Sequence, residues 1–132
     1  EASDRLDDRA KQSPHFWFCR TTGLGLVRLL AQPKVMGEGA LSLNQAYAVY
    51  EQLRTLPEIG CLADPPSCDA EIKALLGSRK LPPRLWTDVY LGALANASGL
   101  RLVSFDADFK NMPIHQCLVL PTPMPGATGH NA

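Results

Sequence analysis

The chain has 132 residues, 45% of them hydrophobic and 20% charged, an ordinary composition for a soluble globular protein able to bury one core. Thirteen Lys and Arg balance thirteen Asp and Glu, so no global field recruits nucleic acid and any such contact must come from a local patch. No stretch approaches the ~18 apolar residues of a membrane span and no basic-then-apolar leader opens the chain. The expectation is a cytoplasmic protein with no membrane attachment.

Residues 1–13 are polar, with Leu6 and the alanines alone to face a core, and read as the exposed end of a helix. HFWFC at 15–19 has the pattern of a strand. TTGLGLVRLL at 21–30 has helical spacing and is stopped by Pro33. Ser42 is placed to cap a second helix, LNQAYAVYEQLRTL, which Pro57 ends. A short strand at 59–62, a Pro-Pro turn and a helix at 68–76 follow.

Arg79, Lys80 and Arg84, beside Pro82 and Pro83, form the one basic cluster and read as a solvated loop. WTDVYLGALANAS is a helix pattern that Gly99 caps. LRLVSF at 100–105 is a strand apolar enough to be expected buried, with a last strand near 117–120. The Pro/Gly-rich residues 122–132 are expected to be a disordered tail. Strands alternating with helices predict an α/β domain with a mainly parallel sheet.

The cysteines are scattered without a CxxC, and His15, His115 and His130 lack zinc-finger spacing. Cys19, Cys61 and Cys117 lie in short apolar stretches and read as small buried hydrophobes. Trp17, Trp86 and Tyr90 have the chemistry to stack on bases, but core packing is the expectation for all three.

Between Leu85 and Leu100 the one charged residue is Asp88. A helix apolar on nearly every side is a buried one, where an unpaired carboxylate is costly. Complementing the helix dipole in the first turn, behind a Thr87 cap, is the plain role for it. Geometry offers another. A helix from Asp88 to Ser98 is ~15 Å long, and a strand from Arg101 to Asp106 covers ~17 Å. Joined by a tight turn at Gly99, the two elements bring their far ends together. Asp88 therefore meets Asp106 at the carboxyl edge of the sheet, where open α/β sheets bind ligands. Asp108 stands two residues further on. Gathered carboxylates repel unless a cation holds them, and an all-oxygen set selects a hard ion, Mg²⁺ or Mn²⁺. A calcium loop beginning at Asp106 fails, because Asn111 and Cys117 stand where it needs Gly and Glu.

LWTDVYL, followed eighteen residues on by VSFDADF, resembles the PIN domain, and within it the VapC-type toxin ribonucleases. CRTTGLGLVRLLAQPKVMG and LSLNQAYAVYEQLRTLP resemble the helical segments of the same family, so the likeness runs over about residues 16–113. It implies a three-layer α/β/α fold over residues 1–121 and a Mg²⁺- or Mn²⁺-dependent RNA endonuclease. It also implies a homodimer repressed by a cognate antitoxin. Asp88 matches the acid of the family's TD motif and Asp106 the first acid of FDxDF, which makes them the catalytic candidates. Asp108 matches the second, more peripheral acid and completes the expected metal set.

Two departures accompany the resemblance. The family opens with a strand bearing its first acid, as in LLDVNVL, and nothing of that kind precedes Glu1, so an N-terminally incomplete domain is expected. The family also commonly places a Glu early in the helix at 21–30, where this chain has Gly23 and Gly25. With two of four acids absent, little activity is expected of the chain as written. The alternative is a catalytically silent PIN-like module that binds an antitoxin peptide or RNA.

Overall fold

The structure, a computed structural model, describes residues 14–121. The helix end expected over residues 1–13 and the tail expected over 122–132 lie outside the described residues. Strands and helices alternate as the sequence predicts, and both strand pairings are parallel. The sheet is not continuous among the described residues: β1 pairs with β2, β3 pairs with β4, and no ladder joins the two pairs. The chain divides accordingly into two compact units, residues 1–63 and 64–132.

In the first unit, β1 (Phe16–Cys19) leads directly into α1 (Arg20–Ala31). Thr22 Oγ1 accepts from the Cys19 backbone N–H at 2.9 Å, taking up a donor the helix start would leave free. Pro33 then opens the short α2 (Pro33–Met36), a position where its missing N–H costs nothing. Ser42 caps α3 (Leu43–Arg54) as predicted, its hydroxyl accepting from Gln45 N–H at 3.2 Å while Gln45 Oε1 accepts from Ser42 N–H at 3.0 Å. β2 (Ile59–Leu62) returns beside β1.

Trp17 faces Gly60 across that pair, and a Cβ at Gly60 would lie 2.5 Å from the indole. The ring therefore covers bare backbone from outside. Trp17 stays 41% exposed, against the expectation of core packing. Cys61 is also exposed, contrary to expectation, and its Sγ takes a hydrogen bond from Arg54 Nε at 3.1 Å. A two-stranded pair is too narrow to bury both of its faces, so some of its apolar residues remain in water.

Tyr50 organises the packing of α1 on α3. Its buried ring meets Phe18 edge-on at 5.9 Å, and the Arg54 guanidinium lies 5.4 Å from its centroid. The other side of the ring needs Gly23, where a Cβ would fall 2.6 Å from the phenol. Gly25 has nothing within 4 Å. Gly23 therefore offers no room for the acid the family commonly carries in this helix, whereas Gly25 does.

The second unit begins with α4 (Cys68–Leu76) and continues through a 3₁₀ turn, Pro83–Leu85, into α5 (Trp86–Ser98). Gly99, at φ +65°, turns the chain into β3 (Leu102–Ser104). A second 3₁₀ turn, Ala107–Asn111, precedes β4 (Cys117–Val119). The core gathers Leu75, Leu85, Val89, Ala93, Phe109 and Met112. Leu75 and Val89 are 1% exposed, and burying such a side chain contributes ~1.5–3 kcal/mol.

Asn96 ties the returning segment to α5. Its Nδ2 donates to Pro113 O at 3.2 Å and its Oδ1 accepts from His115 N–H at 2.8 Å. Arg79 is likewise fixed rather than free in a loop, donating to Leu75 O at 2.7 Å and Asn111 O at 3.3 Å.

Three further expectations are corrected here. Trp86 is 58% exposed, because the buried face of α5 runs through Val89, Gly92, Ala93 and Leu94 instead. Cys117, at the start of β4, is exposed. The apolar run at 100–105 is not wholly buried: Leu102 packs on the core, while Val103 and Phe105 are 53% and 55% exposed.

The two α1 glycines give a paired test. Gly23→Ala should lower stability by ~1–3 kcal/mol through overpacking against Tyr50. Gly25→Ala should raise it by up to ~1 kcal/mol through helix propensity. Urea midpoints of the two variants check this, and a stabilised Gly23→Ala would show that Tyr50 is free to move aside.

Candidate metal centre

Two rigid pieces of the second unit carry the acids. Pro82 and Pro83 restrict the approach to α5, and Leu85 is buried at its head. Asp88 then falls in the first helical turn, half-buried, where the helix dipole favours a negative charge. Thr87 is not the cap expected of it. The 3₁₀ turn runs straight into the helix, so Leu85 occupies the capping position and no side chain caps.

The other piece is the FDADF stretch after β3. Asp106 N–H donates to Ser104 Oγ at 3.0 Å, and Asp106 Oδ1 accepts from Asp108 N–H at 2.9 Å, which caps the 3₁₀ turn. Phe109, 4% exposed, plugs this turn into the core. The two acids thus project from a loop pinned from beneath.

Gly99 closes the helix–strand corner with backbone bonds from its own N–H to Asn96 O and from Leu100 N–H to Ala95 O. The far ends meet as the matched lengths require. One carboxylate oxygen each from Asp88, Asp106 and Asp108 lies within 4.8 Å of the others. Asp106 is exposed, and Asp88 and Asp108 are half-buried.

Electrostatics register the crowding. Burial pushes the Asp88 carboxyl above the usual carboxylate range, and the negative charges of Asp106 and Asp108 push it the same way, with Arg84 opposing. Arg84 Nη1 donates to Asp108 Oδ2 at 2.8 Å, and that bond strengthens the guanidinium's hold on its proton. Three oxygens at this spacing, with no nitrogen or sulfur among them, fit a small hard cation.

Sequence reading missed three features. Arg84, though largely exposed, pairs with Asp108, a contact across 24 residues that no local spacing signals. Tyr90 donates to Asp64 Oδ1, which brings the loop after β2 onto α5. The Asn96 clamp has no local sequence signal, since its partners lie 17 and 19 residues away.

The chain is similar to two ribonucleases of Mycobacterium tuberculosis. Ribonuclease VapC41 is 32% identical over 96 residues, spanning 70% of this chain and 66% of the relative. Ribonuclease VapC38 is 36% identical over 90 residues, spanning 67% of this chain and 60% of the relative. No protein-family model matches. The chain belongs to the VapC-type PIN-domain family. It spans 66% and 60% of the length of these two relatives, less than two thirds of either.

The raised carboxyl of Asp88 fixes the sign of a stability effect. A folded-state acid that holds its proton above the unfolded value is a source of instability as pH rises through the carboxylate range. Relieving it should therefore help the fold near neutral pH. In chelator at pH 7, Asp106→Asn should raise the urea midpoint, by no more than ~1 kcal/mol for groups this exposed. The gain should fade at acid pH, where the carboxyls are protonated in both states. A midpoint lowered at pH 7 would show that Asp106 supports the fold more than it strains it.

Proposed function

We propose that this chain is the nuclease part of a metal-dependent RNA endonuclease, the toxin of a toxin–antitoxin pair. What carries the reading is the meeting of Asp88, from a helix start, with Asp106 and Asp108, from a strand end, in a chain of the VapC-type family. The 96 aligned residues outnumber either compact unit, so both units enter the likeness. That supports treating residues 1–121 as one PIN-like domain.

Asp88 and Asp106 would hold the ion, Mg²⁺ or Mn²⁺, with Asp108 at its edge. When bound, such an ion polarises a phosphodiester and makes water a better nucleophile at neutral pH. The chain's own part is to present fixed oxygens. α5 and the pinned 106–111 turn do this without reorganisation, which is where a positioned site gains its rate. A single-stranded RNA substrate, a cognate antitoxin, a homodimer and a cytoplasmic setting complete the proposal, all taken from the family. Among the described residues, no helix is long and apolar enough to cross a membrane.

A second reading, a silent module that binds RNA or an antitoxin peptide, draws on one observation. Among the described residues three acids gather, not the family's four, and one of them is tied to Arg84.

The test is cleavage of single-stranded RNA in Mn²⁺, with and without chelator, alongside Mn²⁺ binding. With three acids gathered among the described residues and not the family's four, the expected result is weak, chelator-sensitive cleavage that Asp88→Asn and Asp106→Asn abolish and Asp108→Asn reduces less. Mn²⁺ binding without any cleavage would select the silent module. Cleavage that survives both chelator and Asp106→Asn would sink the metal centre.

A further inference from the structure

Among the described residues, Arg84 is the cation that forms an ion pair at the acid cluster, and its partner there is Asp108. Its side chain is 67% exposed and that of Asp108 is 33% exposed. Among the described residues, Asp108 alone takes a hydrogen bond from it, through one nitrogen. A guanidinium has five N–H donors in a planar fork, so most of its capacity faces water. The backbone beneath it is not free to wander. Pro82 and Pro83 precede it, and the 3₁₀ turn Pro83–Leu85 ends on the buried Leu85. A preorganised, exposed guanidinium beside a hard-cation centre has the geometry that phosphate recognition uses.

We infer that Arg84 is the phosphate-binding residue of this site, parked on Asp108 until a divalent ion and an RNA phosphodiester replace that contact. The inference rests on the nuclease reading above and adds to it a residue and a competition. In the parked form, Arg84 neutralises part of the charge that would draw the ion in and occupies Asp108 Oδ2. A divalent ion must displace it. With an ion held by the acids, the freed guanidinium would be available to the negative charge of the scissile phosphate. The attraction of Arg84 to Asp106 and Asp88 as well as Asp108 supports a position facing the whole cluster.

Two opposite effects of one substitution follow. In Arg84→Gln the competing cation is gone, so Mn²⁺, titrated against the metal-free protein, should bind about two- to five-fold tighter, the range of an exposed ion pair. Binding of a labelled single-stranded RNA oligonucleotide in Ca²⁺ buffer should weaken. The slope of its log affinity against log salt should fall by roughly 0.7, one phosphate contact on a single strand. Arg84→Lys keeps the charge and should retain most of both wild-type properties. An arginine that merely held the fold would lower the urea midpoint in Arg84→Gln and move neither the Mn²⁺ affinity upward nor the salt slope.

Unchanged or weaker Mn²⁺ binding in Arg84→Gln overturns the inference, and so does an unchanged salt slope. Equal Mn²⁺ binding by wild type and Asp106→Asn is a different failure. It removes the acid centre itself, and Arg84's role with it.

Discussion

Mutual repulsion among Asp88, Asp106 and Asp108 is the constraint around which the second unit is built. Unit charges ~4 Å apart repel by ~1 kcal/mol in water and ~4 kcal/mol near a protein surface, and the three carboxylate oxygens stand within 4.8 Å. Left to itself, a loop would swing its acids apart. Here Val89 and Ala93 seat the helix that carries Asp88, while Phe109 and Met112 seat the turn that carries the other two. The helix dipole, the Asp108 N–H on Asp106 and the Arg84 guanidinium offset part of the cost. The rest stays in the fold as unfavourable energy.

Much of this was legible in the sequence because its causes are local. Ser42 with Gln45, and Gly99 after an apolar helix, are capping chemistries written within a few residues. The meeting of Asp88 and Asp106 needed only two lengths and one turn. What could not be read depends on partners far away in the chain. Arg79 finds Asn111, and Asn96 finds Pro113 and His115, through packing that no spacing rule encodes.

The misread residues share one cause. Each lies in an apolar neighbourhood of sequence, whereas burial is decided by which face of an element is covered. Cys61, Cys117, Val103 and Phe105 all sit on or beside two-stranded pairs that leave part of their apolar surface exposed. Trp17 shows a related limit. Its partner is an absence, the missing side chain of Gly60, and a glycine in a strand announces close approach without saying of what. The same holds at Gly23, where helical glycine looks like a weakness until Tyr50 is seen to need the space.

The placement of Phe109 within the acid-bearing turn has a consequence for how such a chain can change over generations. Three residues of DADF serve two masters: the aspartates belong to the acid cluster, and the phenylalanine answers to Val89, Met112 and their neighbours. In a close-packed interior a changed side-chain volume moves the backbone by fractions of an ångström, and here that backbone carries ligands. Variation in the core is therefore visible to selection on chemistry even where it costs no stability. Conversely, the centre can drift to a new geometry only along paths that the packing beneath it also accepts, so the two must be inherited together.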